Sequence, residues 1–232
     1  TRAMSETKPR ILYGVHGYGR GHAGRALAIL PELRKRYDVR IFAGDDAYDQ
    51  LSREYEVTRI PVLRYYNGRS GRRSTRQTLR RNASGVLDMK LRGPICYMIE
   101  DEMRRFEPDV VLSDSEGWTH HCARRLGLPR VSFDHYGVMA YCQLPMGVWD
   151  RAVCRAESVA YRSLVQSPER VIVAAFYPGR SKRPGVTVVG PILRQEVREI
   201  SPTAGEHLLV YFTNAREHYT PQVERALLES GV

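Results

Sequence analysis

Residues 10–43 read RILYGVHGYGRGHAGRALAILPELRKRYDVRIFA, and three changes of pattern within them decide the fold. Arg10 to Val15 is a short apolar run of buried-strand length, stopped by the glycine-rich stretch His16-Gly17-Tyr18-Gly19-Arg20-Gly21-His22. From Ala23 the period becomes helical: Ala26, Leu27, Ile29, Leu30 and Leu33 share one face, and Arg34, Lys35 and Arg36 suit a helix C-terminus. Asp38 to Ala43 then reads as a second strand. Strand, glycine loop, helix and strand open a parallel α/β sheet.

The alternation continues. A helix is expected over 46–55, a strand over 57–63, and a basic loop leading into a long helical region that ends at Phe106 before Pro108. Strands follow over 109–113, 130–133, 170–174 and 186–189, with helices over 118–126 and 149–165. This predicts about seven strands in a doubly wound parallel sheet, a Rossmann-like domain over 8–190. Residues 191–206 are polar and read as a linker, and 207–232 read as the first strand (207–213) and helix (221–229) of a second, incomplete α/β domain. The opening Thr1-Arg2-Ala3-Met4 resembles a cloning remnant before a native start at Met4.

Composition narrows the function classes. No run approaches the roughly 20 apolar residues of a membrane-spanning helix, and the polar N-terminus lacks a signal-peptide core, so a cytoplasmic protein is expected. Cys96, Cys122, Cys142 and Cys154 lack C-x-x-C spacing and are expected to be reduced. Asn82-Ala83-Ser84 matches a glycosylation sequon by chance in that compartment. The net charge of +10 is uneven: residues 62–92 carry nine basic side chains against Asp88 alone. A block holding Arg69, Arg72, Arg73, Arg76, Arg80 and Arg81 attracts phosphorylated acceptors, an anionic leaflet or nucleic acid, or is a solvated loop. Tyr65 and Tyr66 could stack bases, but no nucleic-acid-binding motif surrounds them, and no nucleic-acid partner is expected.

Glycines after a first strand let a phosphate, a sugar or a second domain approach the backbone. The stretch is not a dinucleotide fingerprint, because His22 replaces the third glycine; an NAD reading would need Asp45 or Asp46 as the ribose ligand. A histidine at a strand–loop–helix junction faces the crevice where α/β sheets bind ligands, which suits His22 to a general base. It could also cap the helix, and His16 is a competing candidate better placed behind the site.

The stretch Gly17 to Ala28, GYGRGHAGRALA, resembles the N-terminal signature of GT-B glycosyltransferases. It is most similar to the group that includes the peptidoglycan lipid-linked N-acetylglucosaminyltransferase and related uncharacterised bacterial and archaeal enzymes. His22 matches the Gly-His histidine that serves as base in that fold. Pro108-Asp109-Val110-Val111-Leu112-Ser113-Asp114 resembles the P-D-x-x-x-x-D segment whose last aspartate pairs with the histidine, which implies the role for Asp114; a helix N-cap is the alternative. The resemblance implies sugar transfer from a nucleotide-sugar donor, a UDP-sugar, to a hydroxyl acceptor, inverting and without metal or other cofactor. The acceptor side is expected at Gly17, Gly19, Gly21, Arg25 and Ser115, and, from their place at a strand's carboxyl end, at Asp134 and His135, which either line the crevice or pack in a loop. The resemblance assigns the donor phosphates to Thr213 and Asn214, in a loop that departs from the common Gly/Ser-rich form. The acceptor would be phosphorylated or lipid-linked, the basic segment would meet an anionic membrane face peripherally, and the chain alone would be inactive without the rest of the second domain. An epimerase or hydrolase of the same architecture, or a binding module without catalysis, are the alternatives.

Two further clusters carry less. Adjacent helical residues point about 100° apart, so His120-His121-Cys122 is a poor metal site. Ser113-Asp114-Ser115 lacks the G-x-S-x-G of a nucleophile elbow, which leaves a hydrolase triad without support.

Overall fold

A computed structural model of the chain describes residues 8–68, 72–177, 179–206, 208–212 and 219–231. Seven parallel strands form one sheet: β1 (Arg10–Val15), β2 (Asp38–Ala43), β3 (Val57–Arg59), β4 (Val110–Asp114), β5 (Arg130–Asp134), β7 (Arg170–Ala174) and β9 (Val186–Val189). Their order, β3-β2-β1-β4-β5-β7-β9, reverses between β1 and β4. In such doubly wound sheets ligands bind at that reversal, beyond the carboxyl ends of the strands.

The central strands are apolar on both faces because both are covered. Ile11, Tyr13, Val15, Ile41 and Ala43 pack with Ala23, Ala26 and Leu30 of α1 (Arg20–Arg36) and Ala47 and Leu51 of α2 (Asp45–Leu51). The alternate residues Leu12, Phe42 and Val111 face Met89 of α3 (Thr75–Leu91), Ile99 and Met103 of α4 (Pro94–Phe106) and Trp118 of α5 (Gly117–Arg125). A third cluster joins Val171 and Val173 to Val138 and Tyr141 of α6 (Gly137–Tyr141) and Tyr161 and Val165 of α7 (Val148–Val165). The doubly wound fold class is therefore as expected.

Several boundaries differ from the pattern reading. β3 stops at Arg59 because Pro61 has no N–H to extend the ladder. The long helical region is two helices: Arg92 adopts φ +59° and Pro94 opens α4 at its first turn. α6 and the antiparallel pair β6 (Cys142–Gln143) and β8 (Arg180–Ser181) are too short to show a period. Within 191–206 lies one short helix, α8 (Gln195–Glu199). Of the elements expected for a second domain, α9 (Pro221–Glu229) forms; residues 207 and 213 of the expected strand lie outside the described residues, and 208–212 have no strand partner among the described residues. No described helix is long and apolar enough to cross a membrane, and the four cysteines carry free thiols.

Candidate active site

The glycine loop is held by close backbone approach. A Cβ on Gly17 would collide with the Gly44 carbonyl, and Gly19 takes φ +83°, a turn that L side chains resist. Asp46 clamps the loop: its N–H donates to the Gly17 carbonyl at 3.2 Å, and its carboxylate accepts the Gly19 N–H at 3.1 Å. Asp46 thus serves the loop rather than a ribose. The turn at Gly19 starts α1 three residues earlier than the apolar period suggests, so His22 stands in the helix's first turn and not in the loop.

On the neighbouring strand, Asp114 closes β4 with its side chain 0% exposed. His22 Nδ1 lies 2.7 Å from Asp114 Oδ1, with 21% of the histidine side chain exposed. Arg25, one turn further along α1, donates from Nε to Oδ2 and from Nη2 to Oδ1, both at 2.7 Å. Burial by itself would raise the Asp114 pKa, but His22 and Arg25 outweigh it and hold the carboxyl below its ordinary range. A carboxylate can only accept, so Nδ1 carries a proton, and in the neutral ring Nε2 holds the lone pair. The contact of Arg25 Nη2 with Nδ1 is longer, at 3.3 Å. The His16 ring meets His22 edge-on at 5.1 Å; burial, joined by repulsion from His22 whenever that ring is protonated, pushes its pKa down to about 3, so it stays neutral behind the pair.

A family model for glycosyl transferase family 1 matches residues 9–230. The chain belongs to glycosyl transferase family 1. No curated protein sequence is significantly similar to it. Among solved structures, this family 1 chain is similar to UGT2 of Phytolacca americana, complexed with UDP-2fluoro-glucose and pterostilbene, at 14% identity and a TM-score of 0.51 over 81% of this chain and 55% of that one. It is also similar to MurG of Acinetobacter baumannii (15%, TM-score 0.45, 78% and 44%). A third is the Streptomyces sp. SF2575 glycosyltransferase SsfS6 complexed with thymidine diphosphate (17%, 0.46, 78% and 52%). The chain spans about half the length of these proteins. The expected GT-B likeness is thereby borne out.

The other expected residues of this family 1 site separate into groups. Gly21 is open, since a Cβ there meets nothing within 4 Å. Ser115 follows Asp114 with φ +55°, uncommon for a residue with a side chain, and its buried Oγ has no partner among the described residues. Asp114 is not the helix cap: Glu116 caps α5, accepting the Trp118 and Thr119 N–H groups at 2.7 Å. Arg25 is turned onto Asp114 instead of outward toward an acceptor.

Asp134 belongs to the packed-loop alternative. Buried at 1% exposure, it accepts from Gly137 N–H and the Tyr161 hydroxyl at 2.6 Å and from Ser132 Oγ at 3.1 Å. His135 donates from Nδ1 to the Ala174 carbonyl at 2.7 Å, and its ring stands against the exposed Phe176. His120 is buried with its ring nitrogens 3.2 and 3.3 Å from the Val165 and Val131 carbonyls, one of which takes the single N–H of the neutral ring, and His121 Nε2 lies 3.3 Å from the Ser163 carbonyl, which leaves both structural. Arg69, Thr213 and Asn214 lie outside the described residues.

One feature is absent from the pattern reading. The segment after β3 folds over toward α7: the Tyr65 and Tyr136 hydroxyls lie 3.1 Å apart, and both donate to Glu157 Oε2, at 3.3 and 2.7 Å. Arg73 bonds Glu157 Oε1 at 2.7 Å and stacks on Tyr65, which faces Tyr18 of the glycine loop edge-on. A tyrosine wall thus runs beside the His22 loop. Only the clustering of tyrosines in the sequence could have hinted at it. Arg73 is engaged in this wall and Arg81 stacks on Tyr66; Arg72, Arg76, Arg80 and Arg81 are exposed, the last three on α3 rather than in a loop. Leu79 (68% exposed), Leu87 and Leu91 (75%) accompany them.

Proposed function

We propose that this chain is the acceptor-binding half of a glycosyltransferase that moves a sugar from a nucleotide-sugar donor, a UDP-sugar, to an acceptor hydroxyl with inversion and without a metal. The observation that carries the reading is the His22 Nδ1–Asp114 Oδ1 contact of 2.7 Å at the reversal of strand order. His22 Nε2 takes the acceptor's hydroxyl proton as the oxygen attacks the anomeric carbon from the face opposite the leaving group. The bond from that carbon to the diphosphate oxygen breaks, and the nucleoside diphosphate departs. Asp114 keeps Nδ1 protonated and offsets the charge that forms on the ring.

In this reading a second domain holds the donor, with Thr213 and Asn214 at its phosphates; that this chain covers 55% of UGT2 supports it. Diphosphate-bound SsfS6 and UDP-sugar-bound UGT2 agree with a nucleotide donor. Gly17, Gly19, Gly21 and Ser115 border the acceptor, and His135 lies further along the same edge. The exposed arginines and leucines of α3 suit an acceptor that is phosphorylated or lipid-linked and presented at an anionic membrane face. The test is to incubate the full-length enzyme with UDP- and TDP-sugars and candidate acceptors and follow nucleoside diphosphate release. Acceptor-dependent release with an inverted product supports the proposal; conversion of donor without acceptor points to an epimerase or hydrolase.

A further inference from the structure

The Asp114 carboxylate has one partner too many for a plain histidine–carboxylate pair. Its Oδ1 receives both His22 Nδ1 and Arg25 Nη2, and its Oδ2 receives Arg25 Nε, each at 2.7 Å. Arg25 is only 12% exposed, so its charge acts at short range with little screening from water. His22 and Arg25 are three residues apart on α1, on one helical face, and the guanidinium stands 3.3 Å from the imidazole.

We infer that Arg25 is a positioning residue that lowers the proton affinity of His22 by sharing Asp114 with it. The inference rests on the proposal that His22 is the base. An isolated buried carboxylate favours a protonated imidazole, and a protonated imidazole cannot accept a proton. Arg25 shares the Asp114 charge with His22 and opposes a second cation beside it. Its fork also fixes both carboxylate oxygens, so Oδ1 stays aligned on Nδ1. Both effects favour a ring whose Nε2 is free to accept the proton.

The other groups facing this pair do not supply that effect. His16, at the end of β1, stays neutral, and Tyr13 of β1 is a buried phenol whose pKa is raised by burial and by Asp114. Asp134 of β5 is anionic when ionised, but its burial and the Asp114 charge both oppose ionisation. Arg25 is the cation in contact with Asp114 among the described residues.

The experiment is a histidine side-chain 15N–1H titration of the full chain, wild type against R25Q, R25M and R25K. R25Q and R25M are expected to raise the midpoint of His22 protonation by about one pH unit, a tenfold gain in proton affinity, while R25K stays near wild type. In the full-length enzyme the acid limb of the kcat/KM profile moves up with it. An unmoved His22 midpoint in R25Q and R25M, or R25K shifting as far as R25Q, overturns the inference. Loss of the dispersed spectrum in both uncharged variants does so too, since it makes Arg25 a structural residue. The base assignment is tested separately: if a His22→Ala enzyme keeps its turnover while R25Q still moves the His22 midpoint, the coupling stands and the base role falls.

Discussion

Val15 lies directly opposite Asp114 in the parallel ladder between β1 and β4, and the next N–H, that of His16, donates to the Asp114 carbonyl at 3.1 Å. This register ends both strands at one level. The turn at Gly19 then carries the chain back so that His22 reaches a carboxylate 92 positions away in sequence.

Removing Asp114 has two separable costs. Asp114→Ala leaves the Arg25 guanidinium largely buried without its anion, and is expected to destabilise the fold by about 3–5 kcal/mol in urea unfolding. Asp114→Asn keeps the volume but cannot hold the Nδ1–H tautomer as a carboxylate does, and turnover of the full enzyme is expected to fall about 10²–10⁴-fold. An Asn variant with wild-type turnover would remove Asp114 from the chemistry.

The glycines of the loop are unequal, and alanine substitutions will show it. Gly17→Ala forces the loop off the Gly44 carbonyl and is expected to cost about 1–3 kcal/mol. Gly21→Ala meets open space in the first turn of α1 and is expected to leave stability unchanged or raise it by about 0.5–1 kcal/mol. Equal thermal shifts in the two variants would contradict this packing.

How much was legible beforehand follows from the range of each interaction. β1, α1 and β2 are set by local periodicity, and their order alone announces a doubly wound sheet. His22 is legible from its place at the strand–loop–helix junction and Asp114 from motif resemblance, but their contact needs the β1–β4 register. The Arg25 fork was half visible: a basic residue three after the histidine shares its helical face, but nothing local says that Asp114 lies there. For Asp134 the strand-end position allows either the crevice or a packed loop, and only Tyr161 of α7 and the Gly137 N–H, which draw it inward, decide between them. The Tyr65–Tyr136–Glu157 wall joins residues 92 apart from three segments, which no window of sequence encodes.

Acid is expected to weaken the fold through buried imidazoles. His120 and His121 have pKa values lowered to about 4, and His16 to about 3, chiefly by burial. A depressed folded-state pKa means stability that is fully present above the unfolded value of about 6.5 and lost as pH falls toward the folded one. Each fully buried ring contributes a slope of up to about 1.4 kcal/mol per pH unit in that window. His120→Gln should therefore flatten the dependence of urea-unfolding free energy between pH 6.5 and 4.5; slopes parallel to wild type would show that His120 is not buried neutral.

The surface of α3 makes a prediction about membranes. The protein is expected to sediment with vesicles containing an anionic phospholipid and not with purely zwitterionic ones. With about 1 kcal/mol per arginine near the surface, Arg76→Ala with Arg80→Ala should weaken that binding about thirty-fold. Equal binding to both vesicle types, or none to either, would remove the membrane from the account.

The most direct measurement is the turnover of His22→Ala in the full-length enzyme with a saturating nucleotide-sugar donor and its acceptor. The account predicts a kcat lower by about 10²–10⁴-fold with KM values little changed, because the ring acts on the proton and not on substrate binding. Wild-type kcat in that variant would contradict it and move the base to another residue.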